Sequence, residues 1–121
     1  MAEAETPGTV LLKLLSAWNE ADPGTRETIL DEALAASFLY EDPHAPAPFE
    51  GAEGMAQYLT IFRENLPDAV LLPTGSPQVT HGTAKIRARL NRGDAPFAEL
   101  TFVGTNGPDG LTRVTGFVES E

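Results

Sequence analysis

Tyr40-Glu41-Asp42-Pro43-His44 sets a carboxylate and an imidazole two residues apart at the end of a stretch that alternates apolar and polar residues. In an extended chain, residues i and i+2 point the same way, so Asp42 and His44 share a side if the strand runs that far. Beside an apolar site this pair is equipped for general-base chemistry. On one side the two can share a proton path, with Asp42 as the base. The plainer alternative is that Asp42-Pro43 starts a turn and His44 lies exposed in a Pro-rich loop. Glu99 and Thr101 alternate on a later stretch, and Glu99 is either a second carboxylate opposite Asp42 or a solvated strand residue. His81-Gly82 reads as a turn. Two histidines without ligand spacing and no cysteine make no metal motif, and no phosphate loop or nucleophile elbow is present. Neither a metal nor a cofactor is expected.

These residues need a frame. Thr6-Pro7 is a helix start, a capping hydroxyl followed by proline where its missing N–H costs nothing. Leu11, Leu14, Leu15 and Trp18 then fall on one helical face. Asp22-Pro23 ends this helix and caps the next, which is expected from Gly24 to Ala35. The period changes to two over Ser37–Glu41, placing Phe38, Tyr40 and Asp42 on one side. The prolines that follow stop the strand, and Phe49-Glu50-Gly51 is a short strand or a turn. Met55, Tyr58, Leu59, Phe62 and Leu66 stripe a third helix, Ala52–Leu66, closed by Pro67. The rest reads as strand: Ala69–His81, bent or bulged at Pro73 and Pro77; Thr83–Asn91; Pro96–Thr105; and Leu111–Glu119. Arg92-Gly93-Asp94 and Asn106–Gly110 are the turns between the last three. Consecutive strands, rather than strands alternating with helices, predict an α+β domain with a mainly antiparallel, strongly curved sheet. One domain is expected over 1–121, with a tail at 1–6.

Composition narrows the partners. The chain has 121 residues, 41% of them hydrophobic, which suffices for one real core. Eight basic residues against eighteen acidic ones give a net charge of −10. That field repels a phosphate backbone and an anionic bilayer, so neither nucleic acid nor membrane is expected as a partner. The N-terminus lacks the basic-then-apolar pattern of a signal peptide, and with no cysteines the expected location is cytoplasmic.

With its element order, Tyr40-Glu-Asp-Pro-His44, Gly51 opening a helix that carries Tyr58 and Phe62, and Asp109-Gly110 before a last strand, the chain resembles the nuclear-transport-factor-2-like (NTF2-like) superfamily. Within it the likeness is to the SnoaL-like polyketide cyclase and ketosteroid isomerase branch, over roughly residues 9–119. The resemblance implies a cone-shaped, cystatin-like roll, three helices packed on the curved sheet, and pairing of two chains through the sheet. It also implies that Asp42, which precedes a proline at a strand end, is the general base. The oxyanion-hole tyrosine and protonated aspartic acid of ketosteroid isomerases fall here at Leu14 and Thr101, so both donors are missing in their usual form.

The resulting expectation is a cofactor-free isomerase, cyclase or dehydratase for an apolar carbonyl compound, with Asp42 and His44 catalytic. Trp18, Tyr58 and Phe62 would form the wall, with Tyr40, Glu99 and Thr101 also contacting substrate. Core packing is the alternative for the aromatic residues. The rival function is a non-catalytic small-ligand binder of the same fold. Ile86, Ala88, Leu100, Phe102, Val114 and Val118 supply apolar area either to the core or to a homodimer face.

Overall fold

A computed structural model describes residues 6–43, 45 and 47–120, except for the side chain of Ser120. His44, one of the two expected catalytic residues, lies outside the described residues. Helix α1 spans Pro7–Ser16 and opens as expected: Thr6 Oγ1 accepts the Thr9 N–H at 3.2 Å. Its Leu11, Leu14 and Leu15 are buried in the core. A single 3-10 turn, Ala17–Asn19, then swings Trp18 under the sheet. Helix α2, Pro23–Ala33, is capped by Asp22, whose Oδ2 accepts the Thr25 N–H at 2.9 Å.

Two boundaries differ from expectation. Helix α2 ends at Ala33, and strand β1 begins at once, Leu34–Glu41. The Ala-rich junction has helix propensity, but Leu34 pairs with Leu111 on the last strand, and tertiary pairing overrides a weak local preference. The close approach there requires Gly110: a Cβ on it would sit 2.7 Å from the Ala33 carbonyl oxygen, and its φ is +131°. The expected single strand from Ala69 to His81 is two, β3 (Ala69–Pro73) and β4 (Gln78–Thr80), split between the prolines and both paired with β5.

The remaining elements are β2 (Phe49–Glu50), α3 (Gly51–Asn65), β5 (Thr83–Arg92), β6 (Ala95–Gly107) and β7 (Gly110–Ser120). The sheet order is β2-β1-β7-β6-β5-β3, with β4 beside β5. Every pair is antiparallel except β1 with β7, which run parallel. This is an α+β architecture with three helices on one face of a mixed, mostly antiparallel, unclosed sheet.

Alternation on β5 decides the faces. Ala84, Ile86, Ala88 and Leu90 are buried, while Lys85, Arg87 and Arg89 are exposed. Ile86, Ala88, Phe102 and Val114 therefore belong to the interior, and the outer face carries their polar neighbours. The edge strand β3 is pinned from inside: the Asn19 amide donates to the Leu71 carbonyl and accepts the Leu71 N–H, both at 2.8 Å. Arg63 closes the end of α3 by donating to the Ala69 and Pro67 carbonyls at 2.9 and 3.1 Å. No described helix is long and apolar enough to cross a membrane.

Candidate functional site

Asp42 follows the last residue of β1 and keeps the facing of the strand. Phe38 and Tyr40, at the two preceding positions of the same parity, are each 1% exposed. The period-two geometry carries the Tyr40 hydroxyl back onto the carboxylate, where it donates to Asp42 Oδ2 at 2.7 Å. A second phenol arrives from α3: Tyr58 donates to the same oxygen at 2.6 Å. Asp42 Oδ1 accepts the Ala45 N–H at 2.9 Å, and the Ala45 N–H also reaches the Asp42 carbonyl at 3.2 Å. Asp42-Pro43 thus does start a turn, with aspartate at the first position and proline at the second. One carboxylate oxygen ties the turn and the other holds the two phenols.

Around this cluster lies a cavity of about 580 Å³. Trp18, Tyr40, Tyr58 and Phe62 line it, as do Phe49, Leu71 and Phe102. Leu90, Leu100 and Val118 from three strands complete an apolar wall, with Asn65 and Leu66 at the end of α3. Phe97 and Phe117, 46% and 48% exposed, stand at the rim. Asp42 is the one carboxylate among the described lining residues. Edge-to-face contacts of Trp18 with Tyr40, Tyr58 and Phe102, at centroid distances of 5.7, 6.2 and 5.5 Å, fix the rings relative to one another.

Electrostatics keep the phenols protonated. Burial first, then the Asp42 carboxylate, pushes the Tyr58 phenol far above its usual range. Burial, then the neighbouring Tyr58 and Asp42, does the same to Tyr40. Both remain hydrogen-bond donors at neutral pH. The carboxylate needs room beside β7, and Gly116 makes it. A Cβ at Gly116 would stand 3.0 Å from Tyr40 Oη and 3.3 Å from Asp42 Cβ.

The structure brings Asp42, Trp18, Tyr40, Tyr58 and Phe62 together and turns Glu99 and Thr101 away. Glu99 sits opposite Arg89 in the β5–β6 ladder, and Arg89 Nε donates to its Oε1 at 2.8 Å on the outer face. Thr101 is buried on that same outward parity, paired with Arg87 and Phe117, because Phe102 takes the inward position. Leu14 is wholly buried in the core and does not line the cavity. Among the described residues no group of three or more histidine, aspartate or glutamate side chains is placed to hold a metal ion. Sequence reasoning missed Gly116 and the rim phenylalanines. Gly116 signals itself only by a glycine inside a strand, the usual mark of close approach by another group.

Neither a family sequence model nor a curated protein sequence matches the chain. Solved structures do. One from Agrobacterium tumefaciens, named by inference an isomerase of the SnoaL-like family, superposes with a TM-score of 0.85 at 26% identity, over 93% of this chain and 96% of that one. A protein from Sinorhizobium meliloti, named by inference a polyketide cyclase, gives 0.70 at 17% identity, over 89% and 93%. A protein of ketosteroid-isomerase-like fold from Catenulispora acidiphila, solved in complex with trimethylamine, gives 0.73 at 16% identity, over 93% and 85%. The last two likenesses are of fold alone, whereas the first adds sequence identity across nearly the whole chain. By its curled sheet, its three helices and these similarities, the chain is a member of the nuclear-transport-factor-2-like superfamily, and within it is similar to the SnoaL-like and ketosteroid-isomerase-like proteins.

Proposed function

We propose that the protein is a small-molecule enzyme in which Asp42 acts as general base on a carbon acid, in an isomerisation, cyclisation or dehydration of an apolar carbonyl compound. One observation carries this reading: the single carboxylate of the described lining stands in the wall of a 580 Å³ apolar, aromatic cavity, with two protonated phenols on it. Cavities of this size and lining suit one compact apolar ligand, oriented by a few polar groups. The substrate's carbonyl would lie toward the phenols, and its rings or chain against Trp18 and Phe62. In the base step the C–H bond breaks, the proton passes to the Asp42 carboxylate, and the electron pair moves onto the carbonyl oxygen.

A second reading, retention of a ligand without chemistry, is favoured by a specific observation. Both Asp42 oxygens already accept hydrogen bonds, one of them within a turn, as in a carboxylate that only anchors structure. That the relative from Catenulispora acidiphila holds trimethylamine is compatible with it. Proton NMR in D2O with a panel of enolisable ketones, lactones and sterol-like compounds separates the two readings. Loss of the α-proton signal with the wild type but not with Asp42→Asn supports the enzyme. Line broadening without exchange supports the binder. We further propose a homodimer joined through the outer sheet face, where Phe117, Val70 and Leu72 are exposed. Sedimentation velocity that finds only monomer at micromolar concentration would end that proposal.

A further inference from the structure

Asp42 Oδ2 is occupied twice. Two phenols donate to it while Oδ1 is held by the Ala45 N–H. A carboxylate offers about four lone-pair sites. That is about two per oxygen, so Oδ2, which accepts from both phenols, must give one up before it takes a proton from carbon. The two phenols differ in how readily they can be released. Tyr40 lies two residues before Asp42 on the same strand, is 1% exposed, and has its hydroxyl lodged against the Gly116 backbone. Tyr58 belongs to a different element, is half-buried, and stands on the cavity wall with its ring held between Phe49 and Trp18 at 5.1 and 6.2 Å. Turning its O–H about the C–O bond redirects the proton without moving the ring.

We propose that Tyr58 is a catalytic hydrogen-bond donor that passes from Asp42 Oδ2 to the substrate's carbonyl oxygen, so that one rotation both uncovers the base and supplies the oxyanion donor. This assignment rests on the carbon-acid reading above and adds to it a named donor and a substrate constraint. Leu14 is in the core and Thr101 faces outward, so neither position supplies a donor to the cavity. In the step, the α-C–H bond breaks and its proton bonds to Oδ2. The released pair forms the C=C of the enolate, whose oxygen accepts the Tyr58 O–H. Tyr40 keeps the carboxylate in place throughout. Return of the proton from Oδ2 to carbon restores the starting bonds. Tyr58 Oη and Oδ2 are 2.6 Å apart, so the abstracted proton and the accepting oxygen must be neighbours in the substrate. The favoured class is therefore apolar ketones deprotonated directly α to the carbonyl, rather than at a remote vinylogous carbon. The raised phenol pKa keeps the donor in hand at neutral pH.

The test uses 2-tetralone as carbon acid and 2-naphthol as enolate mimic. The α-proton exchange of 2-tetralone in D2O is followed by NMR for the wild type, Asp42→Asn, Tyr40→Phe and Tyr58→Phe, with urea midpoints recorded for each. The expected result is exchange by the wild type and none by Asp42→Asn. For Tyr58→Phe, kcat should fall about 100-fold with KM within about threefold. Tyr40→Phe should lose less than tenfold in kcat. In the Asp42→Asn background, adding Tyr58→Phe should weaken 2-naphthol at least tenfold, a loss that positioning of a carboxylate cannot produce because none is there. Should a variant fail to fold, wild-type protein labelled at tyrosine Cζ keeps the question open to an answer: 2-naphthol must shift the Tyr58 signal more than that of Tyr40. No exchange by the wild type overturns the carbon-acid reading and this assignment with it. Exchange that needs Asp42, but is lost equally in the two phenylalanine variants with unchanged 2-naphthol affinity, overturns Tyr58 alone.

Discussion

The two faces of the sheet hold the same kind of group in opposite circumstances. On the outer face Glu99 pairs with Arg89, and Glu41 pairs with Arg113. Both pairs lie across neighbouring strands and are open to solvent, with the four side chains 36–57% exposed. On the inner face Asp42 meets no described arginine or lysine in its lining and instead gathers two phenols and a backbone amide. Water and salt screen the outer pairs, and such pairs contribute about 0–1 kcal/mol each. The inner carboxylate accepts from two phenols and a backbone amide in apolar surroundings, where each hydrogen bond is stronger and each lost one costs more. The outer acids are matched by charge and serve the ladder. The inner acid gathers hydrogen-bond donors on the wall of an apolar cavity, and that is a place from which it can act on a ligand.

Breaking the inner side should have the largest effect. Asp42→Asn is expected to lower any carbon-acid turnover by about 10²–10⁴-fold, the usual weight of a positioned base, as read by α-proton exchange. Tyr40→Phe should cost about 1–3 kcal/mol of stability in urea titration, because it strips a buried partner from a carboxylate. Gly116→Ala should cost about 1–3 kcal/mol as its Cβ presses on Tyr40 Oη, and it should displace the tyrosine signals in NMR.

Alkali sharpens the comparison from another side. The folded-state pKa of both phenols is raised above the ordinary value near 10, so the folded form retains protons that the unfolded chain releases. Their contribution is fully present below about pH 10 and is lost as pH rises above it. Denaturation midpoints measured from pH 9 to 11 should fall more steeply for the wild type than for Tyr40→Phe or Tyr58→Phe. The smallest effect belongs to the outer face. Glu99→Gln should shift stability by no more than about 0.5–1 kcal/mol, and the difference should shrink in high salt. A loss of several kcal/mol there would erase the distinction between the faces.

Much of this molecule was legible in its residues. Local rules suffice for Thr6-Pro7 and Asp22-Pro23 as helix starts, for the switch of period at Phe38–Asp42, and for the turn at Asp42-Pro43. Side-chain periods of 3.6 and 2 are properties of the chain itself, so the stripe with Tyr58 and Phe62, and the shared side of Tyr40 and Asp42, needed no partner to be read. Tertiary structure decided what depends on residues far apart. Which parity of β6 faces inward is set by its pairing with β5 and β7, and it sends Phe102 in and Glu99 and Thr101 out. Alternation alone names two faces without saying which is covered, because burial is settled only when helices land on one of them. The meeting of Tyr58 with Asp42, 16 residues away, depends on how α3 packs against β1. The space for it depends on a glycine 74 positions further along, at 116, which no local pattern links to Asp42.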